Sequence, residues 1–164
     1  MKKKFLILVF SLVAIVSSAL AETKVKEDPI LVTTTLSGKN FDLKEHFGKV
    51  VIVNFWAAWC AECDVENNIL DELYKEHKSQ GLEVIGVSID RERGHKKVAK
   101  IAALLSYPNS MFYDAKEISF EDLNSIPRSY VIDRDGNLVV TIINKNTKLT
   151  KKDFERILEP FLRN

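Results

Sequence analysis

The stretch V-V-I-V-N-F-W-A-A-W-C-A-E-C-D-V-E, residues 50–66, decides how this chain folds. It begins as an apolar, β-branched run, which is typical of a strand buried on both faces of a sheet. It ends with Cys60 and Cys63, the only two cysteines among the 164 residues. A cysteine placed where a strand gives way to a helix has its sulfur beside free N–H groups, which favour a thiolate. The second cysteine lies almost one turn later, within reach of a disulfide, so the stretch predicts a redox site.

Strands and helices alternate on both sides of this stretch. Residues 30–36, 50–55 and 82–89 are β-branched or apolar and predict strands. Residues 37–40 predict a turn, and residues 41–47 a short helical turn. A helix is expected from the cysteines to about Ser79, where Gly81 would end it. Its predicted packed face follows helical spacing and comprises Val65, Ile69, Leu70, Leu73, Tyr74 and His77.

The second half of the chain predicts a further helix, a hairpin and a closing helix. Residues 91–106 predict a helix with an apolar face, residues 110–113 a short strand and residues 117–124 a short helix. Strands at 129–133 and 138–143 are joined by Asp135-Gly136, a strong hairpin signal. Thr150 is expected to cap the last helix. The apolar face of the helix at 91–106 comprises Val98, Ile101, Ala102, Leu104 and Leu105, and that of the last helix Phe154, Ile157, Leu158 and Phe161. This order predicts one α/β domain with parallel strand pairs completed by an antiparallel hairpin.

The N-terminus has the composition of a secretory signal peptide. Three lysines precede an apolar run over residues 5–20, and Ala19-Leu20-Ala21 is a small-x-small cleavage site. The predicted boundaries are a signal peptide at 1–21, an extension at 22–35 and the folded domain at 36–164. The alternative is an uncleaved anchor in the inner membrane, although sixteen apolar residues are short for a span. No cysteine follows the apolar run, which argues against a lipid anchor.

Charge and cysteine usage limit the possible functions. Cleavage would lower the Lys plus Arg count from 24 to 21 against 23 acidic residues, a net charge of about −2, which gives no sign of nucleic-acid binding. Disulfides persist outside the cytoplasm, so the two cysteines could be a structural staple. A bridge across two intervening residues gains little from chain entropy, which favours a redox role. The three histidines show no ligand spacing, and a metal site built on Cys-x-x-Cys would need a second pair, so no metal and no cofactor is expected.

With these motifs in place, the chain resembles the exported TlpA/ResA-like thiol–disulfide oxidoreductases of the thioredoxin fold. Four features carry the resemblance: the run F-W-A-A-W-C-x-x-C at 55–63, Glu66, the run I-P-R-S-Y-V-I-D-R-D-G-N at 126–137, and the helix and strand inserted at about 91–113. The resemblance covers roughly residues 36–164. It implies a central mixed sheet flanked by helices, with an N-terminal strand extension and an inserted helix–strand.

Three positions depart from the family pattern. The family usually has proline just before the second cysteine, and this chain has Glu62. It often has proline two residues after the glutamate, and this chain has Asn68. After the cis-proline it favours threonine, and this chain has Arg128 and Ser129. The first departure bears on the redox potential and the last on which substrates fit.

The resemblance and the local chemistry assign the catalytic residues. Cys60, expected to be exposed, is the nucleophile that forms a mixed disulfide, and Cys63, more buried, resolves it. Glu66 lies one turn beyond Cys63 on the same helix face, and is proposed to manage the proton of Cys63. The alternative is a solvated surface glutamate. Thioredoxin uses a buried aspartate on the preceding strand, where this chain has Asn54, which cannot titrate.

Four further residues are expected to tune the site or to contact substrates. Glu62 places a negative charge between the sulfurs, which opposes the Cys60 thiolate and makes the disulfide less oxidising, unless the side chain lies in water and is screened. The resemblance implies that Pro127 is a cis-proline beside the sulfurs and that Ile126 pairs with the substrate backbone. Trp59 is the candidate for surface contact, whereas Trp56 is expected to lie partly in the core.

One charged segment remains open to two interpretations. Arg91, Arg93, Lys96, Lys97 and Lys100 form a basic run. Such a run is most often a solvated helix face, and the alternative is a patch to which a partner docks.

The leading hypothesis is a periplasmic or otherwise extracytoplasmic enzyme that reduces disulfides of exported proteins through Cys60 and Cys63. Family members serve cytochrome c maturation or other targets, so apocytochrome c is one candidate partner. A membrane-embedded thiol carrier would return electrons, and a monomer is expected. Rival hypotheses are a disulfide-introducing oxidase or isomerase of the same fold, and a redox-silent binding module or chaperone. A peroxidase of the peroxiredoxin type is disfavoured, because that chemistry usually needs a differently placed cysteine.

Overall fold

The computed structural model describes residues 28–120, 123–144 and 148–163, in which seven strands form one sheet. The predicted signal peptide lies outside these residues. The strands follow the order β2-β1-β5-β4-β3-β6-β7 across the sheet. They are β1 (Leu31–Thr35), β2 (Asn40–Asp42), β3 (Val50–Trp56), β4 (Leu82–Ser88), β5 (Asn109–Ile118), β6 (Arg128–Ile132) and β7 (Leu138–Ile143), and the helices are α1 (Ala61–His77), α2 (His95–Ala102) and α3 (Lys151–Leu162).

The strand predicted to be central is buried along its whole length. All seven residues of β3 are buried, and β3 pairs parallel with β4 and antiparallel with β6. The pair β4–β5 is also parallel, whereas β6–β7, β1–β2 and β1–β5 are antiparallel. The predicted mixed sheet is therefore confirmed, and β1, in the predicted N-terminal extension, is hydrogen-bonded into it.

Alternate residues of β3 face two apolar clusters. Val51, Val53 and Phe55 pack with Tyr130 and with other residues on one face of the sheet. On the other face Val50 and Ile52 pack against the apolar sides of α1 and α3, which contribute Leu70, Leu73, Phe154 and Leu158. The sheet therefore has little freedom to shift, and the C-terminal end of β3 is held in a fixed place.

The buried side of α1 differs from the prediction. Val65, placed on the packed face by its apolar character, is 59% exposed. The buried positions instead recur at i, i+3, i+4 and i+7, and comprise Cys63, Glu66, Asn67, Leu70, Asp71 and Leu73. Leu70 and Leu73 are buried as predicted, and Ile69 and Tyr74 pack against the same core. Glu66 and Asn67 lie on the buried side because their side chains hydrogen-bond to Ser129 of β6 and Asn54 of β3. Apolar character alone therefore misplaced Val65.

Two predicted features beyond β4 were wrong. Leu104 is 81% exposed because α2 ends at Ala102, before the periodicity reaches it. In place of a helix at 117–124, residues 117–118 belong to β5, which pairs with Val32 and Leu31 of β1. Long-range strand pairing outweighs local helix preference here. The short strand β2, within a segment predicted as turn and helical turn, is formed by pairing with β1 in the same way.

The predicted hairpin and the last helix are confirmed. The turn between β6 and β7 contains Gly136 at φ +88°, and a Cβ at that position would meet the ring of Phe47. Thr150 caps α3: its hydroxyl accepts from the N–H of Asp153, whose carboxylate accepts from the N–H of Thr150. No helix among the described residues combines the length and apolar character needed to cross a membrane.

The burial pattern of α1 predicts opposite outcomes for two truncations on the same helix. Leu70→Ala should lower the free energy of unfolding by about 2–5 kcal/mol, because it leaves a cavity under β3. Val65→Ala should change it by less than about 0.5 kcal/mol, because the side chain is exposed. Urea denaturation of both variants measures this, and equal losses would contradict the orientation of the helix.

Candidate active site

Cys60 and Cys63 form a disulfide at the start of α1, with an S–S distance of 2.08 Å. Cys60 is the N-cap residue of the helix and has extended backbone geometry. The backbone N–H of Cys63 donates to the Cys60 sulfur at 3.2 Å. This sulfur therefore occupies the position in which the side chain of an N-cap residue accepts a free helix N–H, which is also where a helix favours negative charge.

Both cysteines are less accessible than a surface motif would suggest. Cys60 is 6% exposed, in contrast to the expected exposure, and Cys63 is 0% exposed. They pack in a cluster with Trp56, Ala57, Ala58, Val98 and Met111, against which Ile126 also packs. Cys60 is still the more exposed of the two cysteines, as expected, since only Cys60 retains contact with solvent. A partner disulfide can thus reach Cys60 and not Cys63.

The two tryptophans on either side of the A-A dipeptide have different environments. Trp59, directly before Cys60, is 67% exposed, as predicted. Trp56 is fully buried at the end of β3, deeper than the partly buried position expected. Trp56 thus packs in the buried cluster that contains both cysteines, whereas Trp59 lies on the protein surface next to Cys60.

Sequence reasoning missed an aspartate that holds the loop before Cys60. Asp90 follows β4, and its carboxylate accepts from the N–H of Ala58 at 2.7 Å and from the Ser88 hydroxyl at 2.9 Å. The N–H of Ile89 donates to the carbonyl of Trp56 at 2.9 Å. Because β3 and β4 are parallel, their carboxyl ends meet at one edge of the sheet. The sequence feature that could have revealed this contact is the acidic residue directly after β4, at the edge of the sheet where β3 also ends.

The loop before β6 brings Ile126 against the cluster that contains the disulfide. The Ile126–Pro127 peptide bond is cis, which confirms the conformation implied by the resemblance. Pro127 is buried, and Ile126 is partly buried against the cluster that contains both cysteines. Among the described residues, no backbone hydrogen bond reaches the N–H or C=O of Ile126.

Glu66 is a buried carboxyl group, and the surface alternative is wrong. It is 1% exposed, accepts from the Ser129 hydroxyl at 2.8 Å and lies 3.4 Å from the side-chain nitrogen of Asn144, which donates to it. Burial raises the pKa of Glu66 above its usual 4.5, and the two hydrogen bonds oppose that rise. A carboxyl group with a raised pKa, one turn from Cys63, holds a proton more readily than an exposed glutamate does.

A chain of polar side chains connects Glu66 to the sheet. The Ser129 hydroxyl also lies 3.3 Å from the side-chain oxygen of Asn54, whose nitrogen donates to Asn67 at 2.8 Å. The Tyr107 hydroxyl donates to the same Asn67 oxygen at 3.2 Å. Asn54 and Ser129 are direct partners in the register of β3 and β6, which places them side by side. This pairing depends on strand register and could not be seen in the sequence.

The remaining predicted site residue, Glu62, lies on the first turn of α1 and is exposed. Within the described parts of the chain, no group of three or more His, Cys, Asp or Glu side chains is arranged to hold a metal ion. The chemistry available at this site is therefore that of the two sulfurs, the buried Glu66 carboxyl and the hydroxyl and amide groups around it.

A mixed sheet with a Cys-x-x-Cys disulfide at the N-terminus of a helix and a cis-proline loop beside it defines a thioredoxin-fold thiol–disulfide oxidoreductase. The chain belongs to the AhpC/TSA family, whose model matches residues 22–141. It is also similar to the thiol–disulfide oxidoreductase ResA of a Bacillus cereus strain, with 36% identity over 123 residues that cover 75% of this chain and 71% of that protein.

Solved structures agree on the fold. A Chlorobium tepidum protein assigned as the thiol:disulfide interchange protein DsbE has a TM-score of 0.70 at 21% identity and covers 82% of this chain and 94% of its own. A thioredoxin-family thiol:disulfide interchange protein of Chlorobium tepidum TLS has a TM-score of 0.64 at 28% identity, with the same coverage. The predicted fold, the resemblance and the activity of a thiol–disulfide oxidoreductase are confirmed.

Removing the Ser129 hydroxyl should raise the pKa of Glu66 further. Ser129→Ala deletes the 2.8 Å hydrogen bond that favours the ionised carboxylate, whereas Ser129→Thr keeps a hydroxyl at the same place. Titration of the Glu66 carboxyl by ¹³C NMR, in the oxidised protein, measures both variants. An unchanged or lower pKa in Ser129→Ala would show that this hydrogen bond does not act on Glu66.

Proposed function

We propose that this protein is exported and reduces disulfides of partner proteins outside the cytoplasm, with Cys60 as nucleophile and Cys63 as resolving thiol. The observation that carries the proposal is the position of Cys60, whose sulfur caps α1 and accepts the Cys63 N–H. A thiolate at that position is stabilised by the helix N-terminus and is the attacking species in thiol–disulfide exchange.

The exchange has two steps with balanced electrons. In the reduced enzyme the Cys60 thiolate attacks one sulfur of the partner disulfide, the partner S–S bond breaks, and its other sulfur leaves as a thiolate. Cys63, deprotonated, then attacks Cys60, which breaks the mixed disulfide and releases the partner's second thiol. The partner gains two electrons, and Cys60–Cys63 becomes the disulfide found in the structure.

Glu66 is proposed to take the proton of Cys63 before the second step. Cys63 is fully buried, which disfavours its thiolate, so a nearby base assists the attack. The raised pKa of Glu66 brings its proton affinity closer to that of a thiol. The Ser129 hydroxyl donates to the carboxylate and so favours its ionised state, the form that can accept a proton.

Three residues are proposed to contact the partner. The exposed indole of Trp59 offers an apolar surface next to Cys60. Ile126, whose backbone groups have no backbone partner among the described residues, can pair with an extended partner segment, as strand addition does. Pro127, the next residue of the same loop, is the third proposed contact, as the resemblance implies.

Export is supported by the composition of residues 1–21 and by the family match, which begins at residue 22. Outside the cytoplasm a reductase needs a source of electrons, which we assign to a membrane-embedded thiol carrier. Apocytochrome c is one candidate among the exported disulfide proteins, and the protein is expected to act as a monomer.

The direction of the reaction can be tested through the redox potential. Because Glu62 places a negative charge on the first turn of α1, we expect a value nearer the roughly −270 mV of thioredoxin than the roughly −120 mV of DsbA. Glu62→Gln should make the potential less negative, whereas Glu76→Gln, at the far end of the helix, should not. Equilibration with glutathione measures the redox potentials of the wild type and of both variants. A wild-type value of roughly −120 mV would favour the rival hypothesis of a disulfide-introducing oxidase.

Substitution of the resolving thiol should trap partners. Cys63→Ala should accumulate a mixed disulfide through Cys60, because the second step is lost, and non-reducing electrophoresis with mass spectrometry would identify the attached protein. Cys60→Ser should trap nothing and should lose insulin-disulfide reduction. Equal insulin reduction by Cys60→Ser and the parent, or a mixed disulfide through Cys63 instead, would contradict the assigned roles.

A further inference from the structure

A small cavity adjoins the redox site on the surface that carries Trp59. Its volume is about 240 Å³, and it is lined by Trp59, Ile89, Asp90, Arg91, Arg93 and Gly94. Trp59 is the neighbour of Cys60 in the chain, so anything bound here lies next to the sulfur that a partner disulfide must reach. Arg91 and Arg93, the first residues of the basic run for which the sequence allowed two interpretations, therefore line a cavity next to the redox site.

The segment that forms the far wall of this cavity is fixed to the redox loop. Asp90 accepts from the Ala58 N–H, and Ile89 donates to the Trp56 carbonyl, so the chain leaving β4 follows the loop before Cys60. Gly94 is in close contact with Asp90, because a Cβ there would lie 2.9 Å from a carboxylate oxygen. The cavity is thus a built feature, held by the same hydrogen bonds that hold the redox loop.

The charge of this wall is positive and unpaired. Arg91 and Arg93 are exposed, and no ion pair or side-chain hydrogen bond joins either of them to another residue within 28–120, 123–144 and 148–163. The same holds for Lys96, Lys97 and Lys100 on α2. By contrast, Lys49, Lys75, Lys151, Arg156 and Arg163 all form ion pairs. The one negative group lining the cavity, Asp90, is already engaged by two donors.

We propose that this cavity binds an acidic segment flanking the disulfide of the partner protein, with Arg91 and Arg93 as the residues that select it. Guanidinium groups bind carboxylates through paired hydrogen bonds, and the exposed Trp59 ring can cover the apolar part of the same segment. Unpaired charges of one sign beside a reaction site also raise the rate of encounter with an oppositely charged partner.

A polypeptide fits this surface better than an anionic membrane does. Thiol–disulfide exchange brings the residues next to the partner's cysteine onto the surface around Cys60, where the cavity lies. A bilayer is flat and would use the lysines along α2, whereas the two arginines line a concavity of side-chain size. The inference rests on the proposed reduction of partner disulfides, and deepens it by naming the chemistry of the substrate.

The test uses the full chain, reduced with dithiothreitol and freed of it, in single-turnover reactions with three disulfide-bridged peptides. The peptides have equal length and carry Glu, Gln or Lys beside one cysteine. Stopped-flow tryptophan fluorescence gives the second-order rate constant for each. We expect the wild type to reduce the Glu peptide about tenfold faster than the Gln peptide at low salt and to lose most of this advantage at high salt.

Two variants of equal net charge locate the effect. In Arg91→Glu/Arg93→Glu the ratio of the Glu-peptide to the Gln-peptide rate constant should fall below one. In the control Lys116→Glu/Lys152→Glu, at exposed positions outside the cavity, the ratio should stay near that of the wild type. Circular dichroism checks that each variant folds, and the salt dependence of the wild type tests the inference without any substitution.

Each remaining outcome overturns the inference. Equal wild-type rates for the three peptides, or an equal loss of preference in both double variants, would show that the arginines do not select substrates. Binding of the wild type to phosphatidylglycerol vesicles and not to phosphatidylcholine vesicles, without a preference among the peptides, would assign the patch to a membrane. Failure to reduce even the Gln peptide would instead refute the proposed reductase activity itself, on which this inference depends.

Discussion

The site depends on one constraint, the fixed end of a strand that is buried along its whole length. Because β3 is hydrogen-bonded on both sides and packed on both faces, its last residue, Trp56, cannot shift without disturbing the core. The loop that follows is tied to the chain leaving β4 through Asp90, and it ends at Cys60, which caps α1. The sulfur is thus placed by the sheet and held by the helix N–H that it accepts. Its chemistry follows from this placement, since a cysteine with the same neighbours on a mobile loop would not keep that hydrogen bond.

The same strand explains why a charged residue can lie in the core. A buried carboxyl group is costly unless its hydrogen-bonding capacity is used, and Glu66 finds the Ser129 hydroxyl and the Asn144 amide. Ser129 is in place because β6 pairs with β3 in the register that puts it beside Asn54. These hydrogen bonds offset the cost of desolvation only in part, and the pKa of Glu66 is therefore raised. The sheet therefore both tolerates the carboxyl group and, through burial, raises its proton affinity.

Features that depend on local pattern could be predicted from the sequence, and features that depend on pairing could not. The apolar run of β3, the Asp-Gly turn before β7 and the Thr150 cap each act over a few residues, and each was predicted. The errors at Val65 and in the segment 117–124 arose where partners far along the chain decide, namely the polar groups facing α1 and the strand β1. The two cysteines and Pro127 were found through their motifs. Asp90 and the hydrogen bond between Ser129 and Glu66 were missed, because they join residues that only the parallel and antiparallel registers bring together.

The segment between β4 and α2 combines support and recognition in adjacent residues. Asp90 fixes the redox loop, and Arg91 is the next residue, so the backbone that carries the arginines starts from a point tied to that loop. The residues assigned to the thiol chemistry lie at the end of β3, in the first turns of α1 and in the loop at Ile126–Pro127, with Asp90 and Ser129 supporting them. Recognition of a particular partner can therefore vary along residues 91–100 without changing the sulfurs or Glu66. The exposed cations of that segment form no ion pair among the described residues, so their substitution should leave the stability of the fold nearly unchanged.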